Sequence, residues 1–241
     1  MLFRQLFDRD TWTYTYLLAD EETGEAVMID PVAENVDTYI TLLEELGLTL
    51  KYSFETHIHA DHISGSGLLR QKLGAKTVLS KNAGVDCADE YADTGNTYAF
   101  GRYAIESRLT PGHTSGCVSF VAHDGDRTMA FTGDTLFIRG CGRTDFQQGD
   151  ARTLYDSVHA QIFSLPDDAI IYPGHDYKGN TRSTVAEEKA HNPRLRTTID
   201  QDGFVAIMDA LDLAHPRFIH VALPANNTCG MVPQDNQPTV N

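Results

Sequence analysis

Basic residues are scarce in this chain: 19 Lys and Arg stand against 34 Asp and Glu, a formal net charge of -15. That deficit argues against nucleic acid or an anionic membrane as the main partner, because phosphate binding needs an excess of cations on some surface. A small anionic substrate is still compatible, given a local basic patch or a bound cation. Cysteine is sparse too. Cys87, Cys117, Cys141 and Cys229 lie far apart with no Cys-x-x-Cys pair, which excludes a zinc knuckle and a dithiol redox motif. No apolar run approaches the length of a membrane span, and the opening Met1 to Asp8 is too short and too soon acidic for a signal or transit peptide. The expected location is the cytoplasm, with free thiols rather than disulfides. Repeats, low-complexity tracts and Pro/Gly/Ser-rich linkers are absent, so residues 1–241 are expected to form one domain. At 41% apolar and 22% charged residues, the composition excludes a mainly disordered chain.

Apolar periodicity outlines the elements. Runs at 12–18 and 26–29 predict a hairpin turned at residues 20–24, and Pro31 stops its second strand. Residues 35–46 carry Val36, Tyr39, Ile40, Leu43 and Leu46 at helical spacing before Gly47. A strand over 49–54, a helix over 65–73 and a strand over 76–79 follow. Residues 80–96 read as loop with some helix. Strands are expected at 98–100, 103–109, 117–122, 128–131 and 169–172, and helices at 151–163, 183–191 and 200–213. The recurring unit is a strand, then a loop bearing His or Asp, then usually a helix. Strands delivering ligands from their ends to one edge is how α/β proteins assemble a site.

The chemistry concentrates in those loops. His57-x-His59-x-Asp61-His62 puts three imidazoles and a carboxylate into six residues after a strand. Such a cluster is costly to bury without partners, and a metal ion is the simplest partner. Further candidates arrive in glycine-containing loops: His113 in Pro111-Gly112-His113, Asp134 in Thr132-Gly133-Asp134 and His175 in Pro173-Gly174-His175. Seven N/O donors exceed the needs of one ion, so the pattern permits two metals, or one metal with polar neighbours. His123, His159, His191, His215 and His220 have no motif around them and read as surface or packing residues. Cys141, within Gly140-Cys141-Gly142-Arg143, reads as a small buried residue of a tight loop.

These motifs together resemble the metallo-β-lactamase superfamily, which implies an α/β fold, the αββα sandwich. Within it, the run from Phe131 to Gln147, the stretch Ile171 to Tyr177 and the tail Leu223-Pro224-Ala225-Asn226-Asn227-x-Cys229-Gly230 are similar to persulfide dioxygenases over nearly the whole chain. The resemblance implies one Fe(II) held by His57, His113 and Asp134, with His59, Asp61, His62 and His175 orienting ligands and water. Two histidines and a carboxylate form a facial triad with adjacent open positions, as an oxygenase needs. The implied reaction turns glutathione persulfide, O₂ and water into sulfite and glutathione. Glyoxalase II, a hydroxyacylglutathione thioester hydrolase with two zinc ions, is the near relative and the alternative, because the same residues could hold Zn(II).

Glutathione carries two carboxylates, so cations are needed at the mouth. The resemblance makes Arg143 the leading candidate, with Arg139 and Arg217 weaker ones, and it puts the Tyr177 phenol near the thiol end of the substrate. An arginine in a tight loop is as often a tether to backbone carbonyls. Asp145 and Asp176 are expected to pair with such cations. A homodimer is one assembly this reading allows. With no rhodanese-like segment apparent, a sulfur donor would be a separate sulfurtransferase or a small molecule.

Overall fold

The computed structural model describes residues 1–214 and 218–231. The first half of the chain builds a sheet of six strands lying side by side in chain order: β1 (Leu2–Phe7), β2 (Tyr14–Ala19), β3 (Glu25–Ile29), β4 (Thr49–Phe54), β5 (Lys76–Ser80) and β6 (Glu90–Ala92). The first three are antiparallel; β3 to β6 run parallel, which forces crossovers. Helix α1 (Val36–Glu45) makes the first and α2 (Ser66–Leu73) the second. Gly74, left-handed at φ +72°, closes α2 as its C-cap.

The second sheet follows the order β12-β11-β10-β9-β8-β7. Strands β7 (Thr97–Phe100), β8 (Tyr103–Leu109), β9 (Val118–Asp124) and β10 (Arg127–Gly133) form an antiparallel meander. Helix α3 (Ala151–Ser157), continued by a π-helical turn over Val158–Ile162, then crosses to β11 (Ile170–Pro173), which is parallel to β10. Strand β12 (Ser183–Thr184) and helices α4 (Val185–His191), α5 (Gln201–Asp209) and α6 (Ile219–Asn226) complete the described chain.

Strand alternation explains the four layers. In β2, Tyr16 and Leu18 join Val27, Phe54, Phe120 and Phe131 between the sheets, whereas Leu17 and Ala19 face Val36, Tyr39, Leu43 and Leu69 of the first helical layer. On the other flank Val121, Ala130 and Ile171 pack against Leu154, Val158, Val185 and Phe204. Each large apolar side chain buried this way contributes about 1.5–3 kcal/mol. The result is the expected αββα sandwich.

The structure departs from the sequence reading in places. Residues 2–7 form an edge strand that periodicity did not disclose, because Arg4 and Gln5 interrupt its apolar residues. The segment 80–96 contains β6 and no helix. The helix expected to reach residue 213 ends at Asp209, and α6 was not foreseen.

The expectation of four free thiols is also corrected. Cys87 and Cys229, 142 residues apart, form a disulfide, and only Cys117 and Cys141 are free. Their pairing depends on α6 carrying the chain end back over the first sheet, where Gly67 N donates to Cys229 O (2.9 Å). The same return brings Asn226 to the histidine loop: its Nδ2 donates to His59 O (2.9 Å) and His62 O (2.8 Å), and its Oδ1 accepts from Ser64 N (2.8 Å). The tail therefore braces the loop that carries the site. Titration of the denatured, unreduced protein should find two thiols per chain. Cys87→Ser should lower unfolding free energy by about 2–4 kcal/mol in chemical denaturation.

Candidate metal centre and cleft

Every side chain of the centre leaves from a strand end or the loop just beyond it. The turn after β4 supplies His57, His59, Asp61 and His62; the β8–β9 loop supplies His113; β10 ends at Gly133 beside Asp134; and β11 leads to His175. Close approach of these loops needs glycine at two points. A Cβ on Gly133, which sits at φ +49°, would lie 2.3 Å from Thr56 Oγ1, and one on Gly142 would lie 2.8 Å from His113 Nδ1.

Four of the five imidazoles are held through Nδ1, leaving Nε2 free to face a ligand. His57 Nδ1 donates to Thr56 Oγ1 (3.0 Å), whose own hydroxyl donates to Asp30 Oδ2 (2.8 Å). His113 Nδ1 donates to Arg143 O (2.7 Å), His62 Nδ1 to Asp61 Oδ2 (2.9 Å) and His175 Nδ1 to Trp12 O (3.2 Å). His59 is reversed: its Nε2 lies 3.2 Å from Asp30 Oδ1 and 3.1 Å from Glu55 Oε2. Burial opposes a charge on His59, but Asp30 and Glu55 outweigh it and hold its pKa well above the usual imidazole value. Burial, then His59 and His113, push His57 well below that value, so it is neutral and fit to bind a cation. His175 is raised: burial opposes protonation, and Asp134 and Asp61 favour it.

His57, His113 and Asp134 each offer a ligand atom within 4.8 Å of the others, and so do His59, Asp61 and His62. His113 Nε2 is 3.5 Å from Asp134 Oδ2, and His175 Nε2 is 3.5 Å from Asp134 Oδ1. Asp134 Oδ1, His59 Nδ1 and His62 Nε2 are buried with no hydrogen-bond partner among the described residues. Buried polar atoms rarely go unsatisfied. A cation at the first trio accounts for the carboxylate; the two orphaned imidazole nitrogens belong to the second trio.

A cleft of about 640 Å³ opens from the trio. Arg143 lines it, but its guanidinium is committed: Nε and Nη2 grip Asp145 (2.6 and 2.7 Å), Nη1 donates to Ala214 O (2.7 Å), and the group lies 4.2 Å over Phe146. Arg139 is bound to Glu187, Glu188 and Ser183. Arg217 lies outside the described residues. Asp145 thus pairs with Arg143 as expected, whereas Asp176 accepts from Lys178 N and Asn180 instead of from an arginine. Tyr177 stands at the mouth, its ring stacked 6.0 Å from His175. Desolvation at the wall, and after it Asp134, Asp61 and Asp176, raise its phenol pKa, so it stays protonated. The Cys141 thiol is pushed up to about 11 by burial, partly offset by Arg194, which fits a packing residue.

Three residues of the site escaped the sequence reading. Asp30 and Glu55 are buried carboxylates behind the histidines; the one available signal for Asp30 was an acid between the apolar end of β3 and Pro31. Arg194 lines the cleft, donates to Cys141 O (3.0 Å) and makes no ion pair among the described residues. Nothing in Asn192-Pro193-Arg194 marks it.

Residues 12–175 match the family model of the metallo-beta-lactamase superfamily. The chain is 54% identical over 232 residues, 96% of its length and 89% of the relative's, to the Bos taurus protein named persulfide dioxygenase ETHE1, mitochondrial. The crystal structure of ETHE1 from Myxococcus xanthus superposes with a TM-score of 0.91 at 48% identity, covering 96% of this chain and all of that one. A probable hydroxyacylglutathione hydrolase of Schizosaccharomyces pombe is more distant, 36% identical over 180 residues, 74% of this chain and 68% of the relative.

The Asp30 carboxylate orients His57 through Thr56 and grips His59 directly. Asp30→Asn should therefore weaken metal binding roughly 10–100-fold, measured by competition with a chromogenic chelator.

Proposed function

The chain belongs to the metallo-β-lactamase superfamily, and on that premise we propose that it is a persulfide dioxygenase oxidising glutathione persulfide at one Fe(II). The observation that carries this reading is the convergence of His57, His113 and Asp134 at the head of a cleft. Two imidazoles and one carboxylate form a ligand set that suits Fe(II) and leaves adjacent positions open. Bound there, Fe(II) would supply redox chemistry and bring persulfide sulfur and O₂ side by side.

The remaining work falls to the chain's own residues. Persulfide, O₂ and water become sulfite and the parent thiol, so the terminal sulfur must be held at the trio and stray water kept away. Phe137, Ile138 and Phe146 form apolar wall, which reduces competing solvent and strengthens electrostatic contacts. Tyr177, protonated at neutral pH, is a hydrogen-bond donor for the sulfur end of the substrate. His175 lies 3.6 Å from Asp61 Oδ2 as well as beside Asp134, and in this reading it supplies a proton to the departing glutathione sulfur. Arg194, the cleft arginine with no carboxylate partner among the described residues, takes a glutathione carboxylate, while Arg143 serves as the tether between the 143–146 loop and residues 213–214.

A second reading draws on the trio His59, Asp61 and His62: two zinc ions and thioester hydrolysis. The likeness weighs against it: 54% identity to a relative named persulfide dioxygenase, against 36% to a probable hydroxyacylglutathione hydrolase.

Anaerobically purified protein given glutathione persulfide should release sulfite only after O₂ is admitted, one O₂ consumed per sulfite. Hydrolysis of S-lactoylglutathione without O₂ would support the zinc reading instead. Asp134→Ala should abolish metal binding while His62→Ala keeps most of it; equal loss in both would mark two coupled metals. Arg194→Ala should raise KM for glutathione persulfide roughly 10–100-fold, the loss of one charge-assisted contact, with a smaller change in kcat. An unchanged KM removes Arg194 from the substrate site.

A further inference from the structure

Trp12 occupies an unusual position. It is non-glycine at φ +60°, a region that bulky side chains rarely adopt, and it is 46% exposed. The turn between β1 and β2 imposes this from both sides. Asp8 Oδ2 accepts from Thr11 N (2.8 Å), Asp8 N donates to Thr13 O (2.9 Å), Trp12 O accepts from His175 Nδ1 (3.2 Å), and Tyr14 N donates to Gly174 O (2.8 Å). The ring packs edge-on against Phe7, 6.0 Å between centroids, yet nearly half of the residue stays exposed, at a backbone conformation that glycine would relieve. The ring also helps line the mouth of the cleft, 6.3 Å from Tyr177, which is 62% exposed. Asp10, two residues earlier, also lines the mouth and makes no ion pair among the described residues.

The charges of the cleft are divided. Asp10 and Asp176 line it in the two segments that carry Trp12 and Tyr177, where Lys178 is the single lining cation; Arg139 and Arg143 come from the loop after Asp134, and Arg194 from the α4–α5 connection beside Cys141. Exposed aromatic faces with an unpaired carboxylate suit an alkylammonium group, through ring quadrupole and charge. On the reading that the substrate is glutathione persulfide, which carries one ammonium and two carboxylates, we propose that Trp12, Tyr177 and Asp10 form the subsite for its ammonium group. The two ends of the substrate are then told apart by different segments of the cleft wall, and the persulfide is directed to the trio.

Trp12 is the chain's one tryptophan, so its fluorescence reports this subsite directly. Glutathione should quench it saturably, and N-acetylglutathione, which lacks the ammonium, should bind roughly two- to fivefold more weakly, the worth of one exposed cation–π contact. Trp12→Gly, which relieves the backbone while losing the Phe7 contact, should keep the fold by circular dichroism and is expected to raise KM for glutathione persulfide by a similar factor. It should also erase the discrimination against the N-acetyl persulfide, with kcat retained, whereas Trp12→Phe keeps most of that discrimination. Absence of quenching, or equal discrimination in Trp12→Gly and the unaltered protein, overturns the subsite. Sulfite formation tests the dioxygenase reading separately: sulfite without ammonium dependence sinks only this inference, and ammonium-dependent quenching without sulfite sinks only the activity.

Discussion

The buried carboxylate of Asp30 is the contact on which the centre depends. It sits where β3 ends, at φ +51°, a conformation Asp tolerates better than most residues but at some backbone cost, of order 1 kcal/mol. Its oxygens accept from Thr56 N (2.7 Å) and Thr56 Oγ1 (2.8 Å) and lie within hydrogen-bond reach of His59 Nε2. Hydrogen bonds to a charged group contribute about 1.5–3 kcal/mol each, so three of them outweigh the strain. The consequence reaches the chemistry through two steps: Thr56 is fixed by Asp30, and His57 is fixed by Thr56. Without that anchor the imidazole would lose the hydrogen bond that sets its ring orientation.

The chain end is the second support. Asn226 ties the carbonyls of His59 and His62 to α6, and the Cys87–Cys229 bridge ties α6 to the first sheet. Rigidity in the loop holds His57 with its Nδ1 engaged by Thr56 and its Nε2 available before any cation arrives. The cleft shows the same division between support and function. Arg139 and Arg143 hold loops in place, and Arg194 makes no ion pair among the described residues, which is why it is the arginine proposed for a substrate carboxylate.

Much of this was readable in the sequence. Strand, loop and helix periods disclosed most of the elements, because alternating burial leaves a direct trace in apolar spacing, and the resemblance supplied their arrangement as two sheets between helices. His57, His113, Asp134 and His175 stood out because each follows a strand and three of them follow glycine. Asp30, Glu55 and Arg194 did not, since one Asp, Glu or Arg outside a motif carries no sign of what will lie beside it. The roles of Arg143 and Arg139 depended on Asp145, Glu187 and Glu188, contacts that only folding creates. The disulfide was hidden by 142 intervening residues and by a final helix with weak amphipathic character. Resemblance reached the catalytic class; the supporting network became visible only in three dimensions.

The central claim is that one iron is held by His57, His113 and Asp134. Anomalous diffraction from crystals of anaerobically purified protein, recorded on both sides of the iron edge and again at the zinc edge, tests it most directly. The account predicts a single iron peak bounded by those three side chains and no peak beside His59, Asp61 and His62. Two peaks, or a single peak that appears only at the zinc edge, would contradict it.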